Sequence, residues 1–213
     1  MNDAPPPPRT LVIETATAAC SVALFEGTRL VAGHHDVVGR GHAERLVPMI
    51  GDLPGRGRAD TILVDVGPGS FTGLRVGIAA AVGLGIGWAA SVVGLSSLTL
   101  IAVGAAHGRQ LTDEFAVAIE GGHGEVFVQR FANAPFVALD DPVSLPPDAA
   151  LDRIGARPVI GNAARRLAGI AVIDALPDAA DALLLPEALR SLPPRPLYLR
   201  APDAKLPGGI APP

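Results

Sequence analysis

The chain has 213 residues, 49% hydrophobic and 18% charged, which is enough apolar material for one large domain or two small ones and too much for a disordered chain. A formal net charge of −4 argues against a protein that grips nucleic acid unaided, because phosphate binding relies on clustered Lys and Arg. One cysteine, Cys20, excludes an internal disulfide and any multi-cysteine zinc site, and its apolar neighbours predict a buried thiol.

No basic segment followed by an apolar stretch opens the chain, so no secretory signal is expected, and Pro5 to Pro8 reads as an extended tail. Leu11 to Ile13 opens a strand. The small-residue turn Thr15 to Ala19 leads to a second strand, Ser21 to Phe25, and Glu26-Gly27-Thr28 turns into a third, Arg29 to His35. His42 to Leu53 is predicted as a helix with Leu46, Met49, Ile50 and Leu53 on one stripe. Thr61 to Val66 is a short apolar strand of the kind buried on both faces. A Gly/Pro/Ser loop follows, then a long helix beginning near Phe71 or Thr72, a strand at Val92 to Leu95, and a helix capped by Ser96 or Ser97. From Val76 to Ala106 there is no Asp, Glu, Lys or Arg, and about 20 such residues suffice to cross a bilayer. The density of Gly, with Ser91, Ser96, Ser97 and Thr99, argues instead for a buried helix, a buried strand and the start of another helix, with no membrane partner.

The second half repeats the opening. Ala116 to Glu120 parallels Leu11 to Glu14, and Gly121-Gly122-His123-Gly124 turns into Glu125 to Phe131. Pro158 to Asn162 and Ala163 to Ala168 read as a strand, a loop and a helix, and beyond Pro186 an extended segment is expected, fraying after Lys205. Two meander-plus-helix halves describe a duplicated actin-like, ribonuclease-H-like α/β fold with mixed sheets flanked by helices, divided at residues 1–107 and 108–213. They do not fit a doubly wound dinucleotide fold, whose strands and helices alternate strictly.

The most distinctive stretch is Asp65-Val66-Gly67-Pro68-Gly69-Ser70-Phe71-Thr72-Gly73-Leu74-Arg75: a strand end, a tight turn and a helix start. It is either a structural turn or an anion-receiving helix start. It is neither a Walker A loop, which needs Gly-Lys-Ser/Thr, nor a nucleophile elbow. The run Gly67 to Arg75 closely resembles the hallmark of the TsaB (YeaZ-like) family. Ile13 to Leu24, His42 to Pro48, Gly124 to Phe127, Tyr198-Leu199-Arg200 and Pro202 to Lys205 resemble further segments of that family in the same order.

The resemblance implies a cytoplasmic accessory protein of tRNA threonylcarbamoyladenosine synthesis. It would pair with a TsaD-type catalytic subunit, cooperate with a TsaE-type ATPase, and meet tRNA only through that complex. TsaD transfers the threonylcarbamoyl group to adenosine 37 of ANN-decoding tRNAs; the accessory protein is an inactive paralogue needing no cofactor. Its two adjacent helices would pair with their counterparts on TsaD. That places an interface at His42, Glu44, Arg45, Leu46, Met49, Ile50, Leu53, Thr72, Arg75, Val76, Gly77, Ala80, Ala81 and Gly83, with a homodimer through the same face when the partner is missing. The glycines and alanines of the long helix recur every four residues, a spacing that lets another helix approach closely.

The residues themselves offer little chemistry. His34, His35, His42, His107 and His123 include no pair four apart, so the His-x-x-x-His pair that binds metal in the catalytic relative is missing, which disfavours a metallopeptidase. Glu14, Thr15, Asp65, Gly67, Gly69, Ser70 and Glu120 mark a possible vestigial nucleotide cleft. The family usually has Asp where Glu14 stands, and Ala-Arg where this chain has Gly121-Gly122, which counts against the alternative of a stand-alone actin-like ATPase or phosphotransferase.

Overall fold

The computed structural model describes residues 5–108, 111 and 113–199. Strands β1 (Arg9–Glu14), β2 (Ala19–Glu26) and β3 (Arg29–Val37) form an antiparallel meander because the turns between them are too short for a crossover. Helix α1 (His42–Asp52) carries the chain across to β4 (Thr61–Asp65), which lies parallel to β1. Helix α2 (Phe71–Trp88) is a second crossover, from β4 to the parallel β5 (Ser91–Leu95). The sheet order is β3-β2-β1-β4-β5.

Helix α3 (Ser97–Gly108) leads into the second half, which repeats the pattern. Strand β6 (Glu114–Glu120) pairs antiparallel with β7 (Val126–Ala132), and the short β8 (Val137–Ala138) and β9 (Val143–Leu145) both pair with β7. Helix α4 (Pro147–Ile154) then crosses to β10 (Val159–Ile160), parallel to β6, and β11 (Val172–Ile173) joins β10. This is the expected duplicated actin-like fold: two mixed sheets, each a hairpin extended by parallel strands.

Alternation along the strands assigns the core. On the first sheet Leu11, Ile13, Val22, Leu24, Ile62 and Val64 face α1 and α2, while Val12, Ala23 and Leu63 face α3. Helix α3 is buried on two sides, with Leu100 and Val103 toward the first sheet and Leu98, Ile101 and Ala102 toward Phe115, Val117 and Phe131 of the second. The far face of the second sheet is closed by Ala150 and Ile154 of α4.

One expected element differs. Ala163 to Ala168 is a single 3-10 turn, Ala163–Arg165, since only Ala163 and Leu167 find apolar cover and the arginines between them stay in solvent. The segment after Pro186 runs over the surface as a strap. Gly94 and Leu192 exchange backbone hydrogen bonds, and Leu197 N donates to Val66 O at 2.7 Å, covering the free edge of β5. The Arg200 and Pro202 to Lys205 part of the family resemblance, and the expected fraying, lie outside the described residues.

Asp140, in the turn between β8 and β9, ties β7 to α4. Its carboxylate accepts from Arg130 Nε at 2.6 Å and Arg153 Nη2 at 2.7 Å, and from Arg130 N at 2.9 Å. Asp140→Ala leaves two half-buried guanidinium groups without their acceptor and should cost about 2 kcal/mol in urea denaturation.

Candidate functional site

Helix α2 begins where Ser70 caps it, its Oγ accepting from Gly73 N at 3.3 Å. Gly73, Leu74, Gly77, Ala81 and Gly85 are its buried residues. A Cβ on Gly73 would strike the Thr15 carbonyl oxygen, and one on Gly77 the Thr15 hydroxyl, so these glycines seat the helix on the turn after β1. The four-residue stripe expected to receive a partner helix thus packs on the chain's own sheet. Gly77 and Ala81 are corrected from interface to core, because the sheet can approach that closely only where side chains are missing.

The opposite side of α2 is the unusual one. Ala79, Val82, Gly83 and Ile86 are exposed, with Ile86 at 80% and Phe71 at 56%. Phe71, Val82 and Ile86 point out, Val76, Ile78, Leu84 and Trp88 are half-buried against the core, and only 28% of the helix is fully buried. By length and composition α2 could cross a membrane. As the crossover between two neighbouring parallel strands, however, it is held flat against the sheet.

Beside it, α1 inverts the expectation too. Leu46, Met49, Ile50 and Leu53 are buried in the core beneath the two helices. His42 is likewise buried, its Nε2 2.9 Å from the carbonyl oxygens of Thr17 and Ala19 and therefore donating to them. All five were expected at the interface, and the sheet has claimed them instead, because an 11-residue helix has one apolar stripe and a sheet needs it for cover. What α1 leaves outside is Glu44, Arg45, Pro48 and Val47, the last 66% exposed, with Arg45 Nε donating to Asp36 at 2.5 Å.

Of the other expected interface residues, Thr72, Arg75 and Gly83 are exposed, and Val76 and Ala80 are half-buried. Arg75 lies over the Phe71 ring at 3.6 Å, Phe71 stacks on Tyr198 at 5.9 Å, and Arg75 Nε donates to the Tyr198 hydroxyl at 3.3 Å. Val47, Phe71, Ala79, Val82 and Ile86 join this surface without having been expected there. A signal for them exists in the sequence: Ala79, Val82 and Ile86 recur at three and four along α2, on the side away from Gly73, Gly77 and Gly85.

The expected nucleotide cleft is closed. Glu14 and Asp65 end the neighbouring strands β1 and β4, and both side chains are fully buried. Glu14 Oε1 accepts from Ala16 N at 2.6 Å; Asp65 Oδ1 accepts from Gly67 N at 2.7 Å and Ser97 Oγ at 2.8 Å. Glu14 is pushed well above the usual carboxylate range by burial and by Asp65 beside it. Asp65 is pushed up to about 7 by burial, against the hydrogen bonds from Gly67 and Ser97.

The two loops above them are pressed together. Ser70 N donates to Ala16 O at 2.6 Å, the Thr15 hydroxyl donates to Gly73 O at 2.8 Å, and a Cβ on Gly69 would overlap the Ala16 carbonyl. Gly67 adopts a φ of 104°, which glycine alone accepts readily. Glu120, at the end of β6, is exposed, and its backbone N–H donates to Asn162 Oδ1 at 2.9 Å. An open cleft of about 420 Å³ lies elsewhere, lined by His35, Gly104, Asp174, Asp178 and Asp181, a lining that repels phosphate. Among the described residues no three of His, Cys, Asp and Glu are grouped to hold a metal.

A family model described as tRNA N6-adenosine threonylcarbamoyltransferase, TsaD, matches residues 36–141. The tRNA threonylcarbamoyladenosine biosynthesis protein TsaB of Escherichia coli is 41% identical over 127 residues, which is 56% of this chain and 53% of that protein. The protein of the same name from Haemophilus influenzae is 35% identical over 128 residues, 56% of this chain and 52% of that one. The chain spans about half the length of the curated relatives it matches. Among solved structures, YeaZ from Pseudomonas aeruginosa superposes with a TM-score of 0.76 at 29% identity, covering 90% of this chain and 100% of that one.

Proposed function

The chain belongs to the TsaB (YeaZ-like) family of tRNA threonylcarbamoyladenosine biosynthesis proteins, and we propose that it works there as a non-catalytic scaffold. Its partner is a TsaD-type catalytic subunit, which transfers threonylcarbamoyl to adenosine 37 of ANN-decoding tRNAs. A TsaE-type ATPase and the tRNA join through that complex, in the cytoplasm. The observation that carries the reading is the outer face of helix α2: Gly73, Gly77 and Gly85 seat the helix on its own sheet and leave Val82 and Ile86 in solvent. Val47 and Pro48 of the neighbouring helix α1 are exposed as well, and apolar surface of this kind is seldom left bare. Thr72, Arg75, Glu44 and Arg45 supply its polar rim, and Val76, Ala80 and Gly83 complete its floor.

The sealed Glu14–Asp65 turn supports the absence of catalysis: the backbone of Gly69 and Gly73 fills the space over Thr15 and Ala16 that a phosphate would need. The division at residues 107 and 108 is retained as part of this proposal. In it the segment from Asp178 crosses back, setting Ala179, Ala182 and Leu185 against the first sheet.

The isolated chain should form a homodimer through the same surface. Mixed with the TsaD-type subunit of its own organism, it should exchange that homodimer for a one-to-one complex on size exclusion with light scattering. A chain that stays monomeric and ignores the subunit refutes the scaffold reading, as does nucleotide turnover by the pure chain.

A further inference from the structure

The Glu14–Asp65 pair has a feature that closing the cleft leaves unexplained. Each carboxyl spends one oxygen on hydrogen bonds from its own neighbourhood, Oε1 on Ala16 and Oδ1 on Gly67 and Ser97. The other oxygens, Glu14 Oε2 and Asp65 Oδ2, are buried and have no partner. Two orphaned acceptors of the same kind cannot satisfy each other, and buried polar atoms are rarely left so. The strands pair in register through Ile13 and Val64, so Glu14 and Asp65 are the next neighbours, on strands about 4.8 Å apart.

We infer that the two orphaned oxygens share one proton at neutral pH, with Glu14 as the carboxylic acid donating to the Asp65 carboxylate. One hydrogen satisfies both atoms and removes one of two adjacent buried charges. Both carboxyls brace the loops they sit under: Glu14 holds the turn after β1, while Asp65 holds the turn that opens α2 and the start of α3. The proton is therefore a latch between the base of the first sheet and the helix pair.

The surroundings favour it. Asp178, ahead of the 3-10 turn Ala179–Leu184, acts on Glu14 with the same sign of charge. On β2 the Cys20 thiol is pushed up to about 11 by burial and by Glu14. From α3 Ser97 meets Asp65 through its hydroxyl and its backbone N–H, neither of them a charge, and from α1 His42 is spent on the carbonyls of Thr17 and Ala19. The charges that act on Glu14 among the described residues are thus anionic, which leaves the proton as the neutralising group.

The sign follows from both carboxyls being raised above the ordinary value of about 4. Each contribution to stability is complete below that value and is lost as pH rises through the raised one, about 7 for Asp65. Urea unfolding of the full chain from roughly pH 5 to 9 should show the folding constant falling by up to about tenfold per pH unit near neutrality, the slope of one linked proton. Glu14→Gln puts an amide donor where the acid O–H stood and should flatten that slope; Asp65→Asn, equally isosteric, is the second variant. Infrared spectra of the wild type at neutral pH should show the C=O stretch of one protonated carboxylic acid, absent from Glu14→Gln.

A wild type without that band overturns the inference, as does a Glu14→Gln chain with an unchanged pH slope. So does a shift of the wild-type melting point by millimolar Mg²⁺ or Ca²⁺ together with loss of the band, which would make the pair a cation site. The infrared measurement needs only the wild type, so it decides the matter even if a variant fails to fold.

Discussion

Ile86→Asp should leave the chain folded and abolish its assembly with the TsaD-type subunit and with itself. At 80% exposure Ile86 rests on little in the free chain, so the substitution costs the monomer almost nothing. In a complex it would sit at the centre of a dry helical contact, where an unpaired carboxylate must be desolvated. The loss should be at least about 3 kcal/mol, more than a hundredfold in Kd. Leu46→Ala is the opposite case. Leu46 is fully buried under α1, so truncation should cost roughly 2–5 kcal/mol of stability while the outer surface is retained. Melting curves and titration calorimetry on both variants separate the two roles. Full affinity in Ile86→Asp would place the interface elsewhere on the molecule.

The second large effect concerns a single methyl group. Gly69→Ala drives a Cβ into the Ala16 carbonyl oxygen, and the obstacle is backbone, which cannot rotate away. Overpacking of side chains costs about 1–3 kcal/mol. Here the Ser70–Ala16 hydrogen bond is lost as well, so about 4 kcal/mol is expected, with a melting point lower by roughly 10 °C for a chain of this length. Gly83→Ala, on the outer face of α2, is the control. Nothing lies within 4 Å of its added Cβ, and replacing a helical glycine should raise stability by roughly 0.5–1 kcal/mol. The same chemical change thus has opposite signs at two positions fourteen residues apart. If Gly69→Ala melts with the wild type, the loops are not pressed together as described.

Much of the fold is legible in the sequence alone. The turn residues at Gly27 and at Gly121 to Gly124 announce the two hairpins, and the match between Leu11–Glu14 and Ala116–Glu120 announces the duplication. The apolar run at Thr61 marks a buried parallel strand because every residue in it must be covered on one side or the other. Helix α4 is not legible in the same way. Pro147 in its first turn is a start signal, but a helix of eight residues with few apolar groups offers little periodicity. At the candidate site the sequence pattern locates both helices and exchanges their inward and outward faces. Leu46, Met49, Ile50 and Leu53 form a clear stripe, but a stripe shows only that four residues share a face, not what that face meets.

The residues by themselves determine the elements, the repeated half, the family and the lack of a metal-binding histidine pair. Each depends on local pattern: spacing along the chain, turn chemistry, or a nine-residue run that survives intact. Only the tertiary structure decides which side of α2 is available. The helix is apolar all round, so its pattern groups the residues of each face without telling which face the sheet takes. Direction comes from the sheet, which brings Thr15 so close to the axis of α2 that only Gly73 and Gly77 can face it, and so turns Val82 and Ile86 outward. The same approach presses the turns after β1 and β4 together, burying Glu14 and Asp65 side by side, a proximity that their separation of 51 positions along the chain does not reveal.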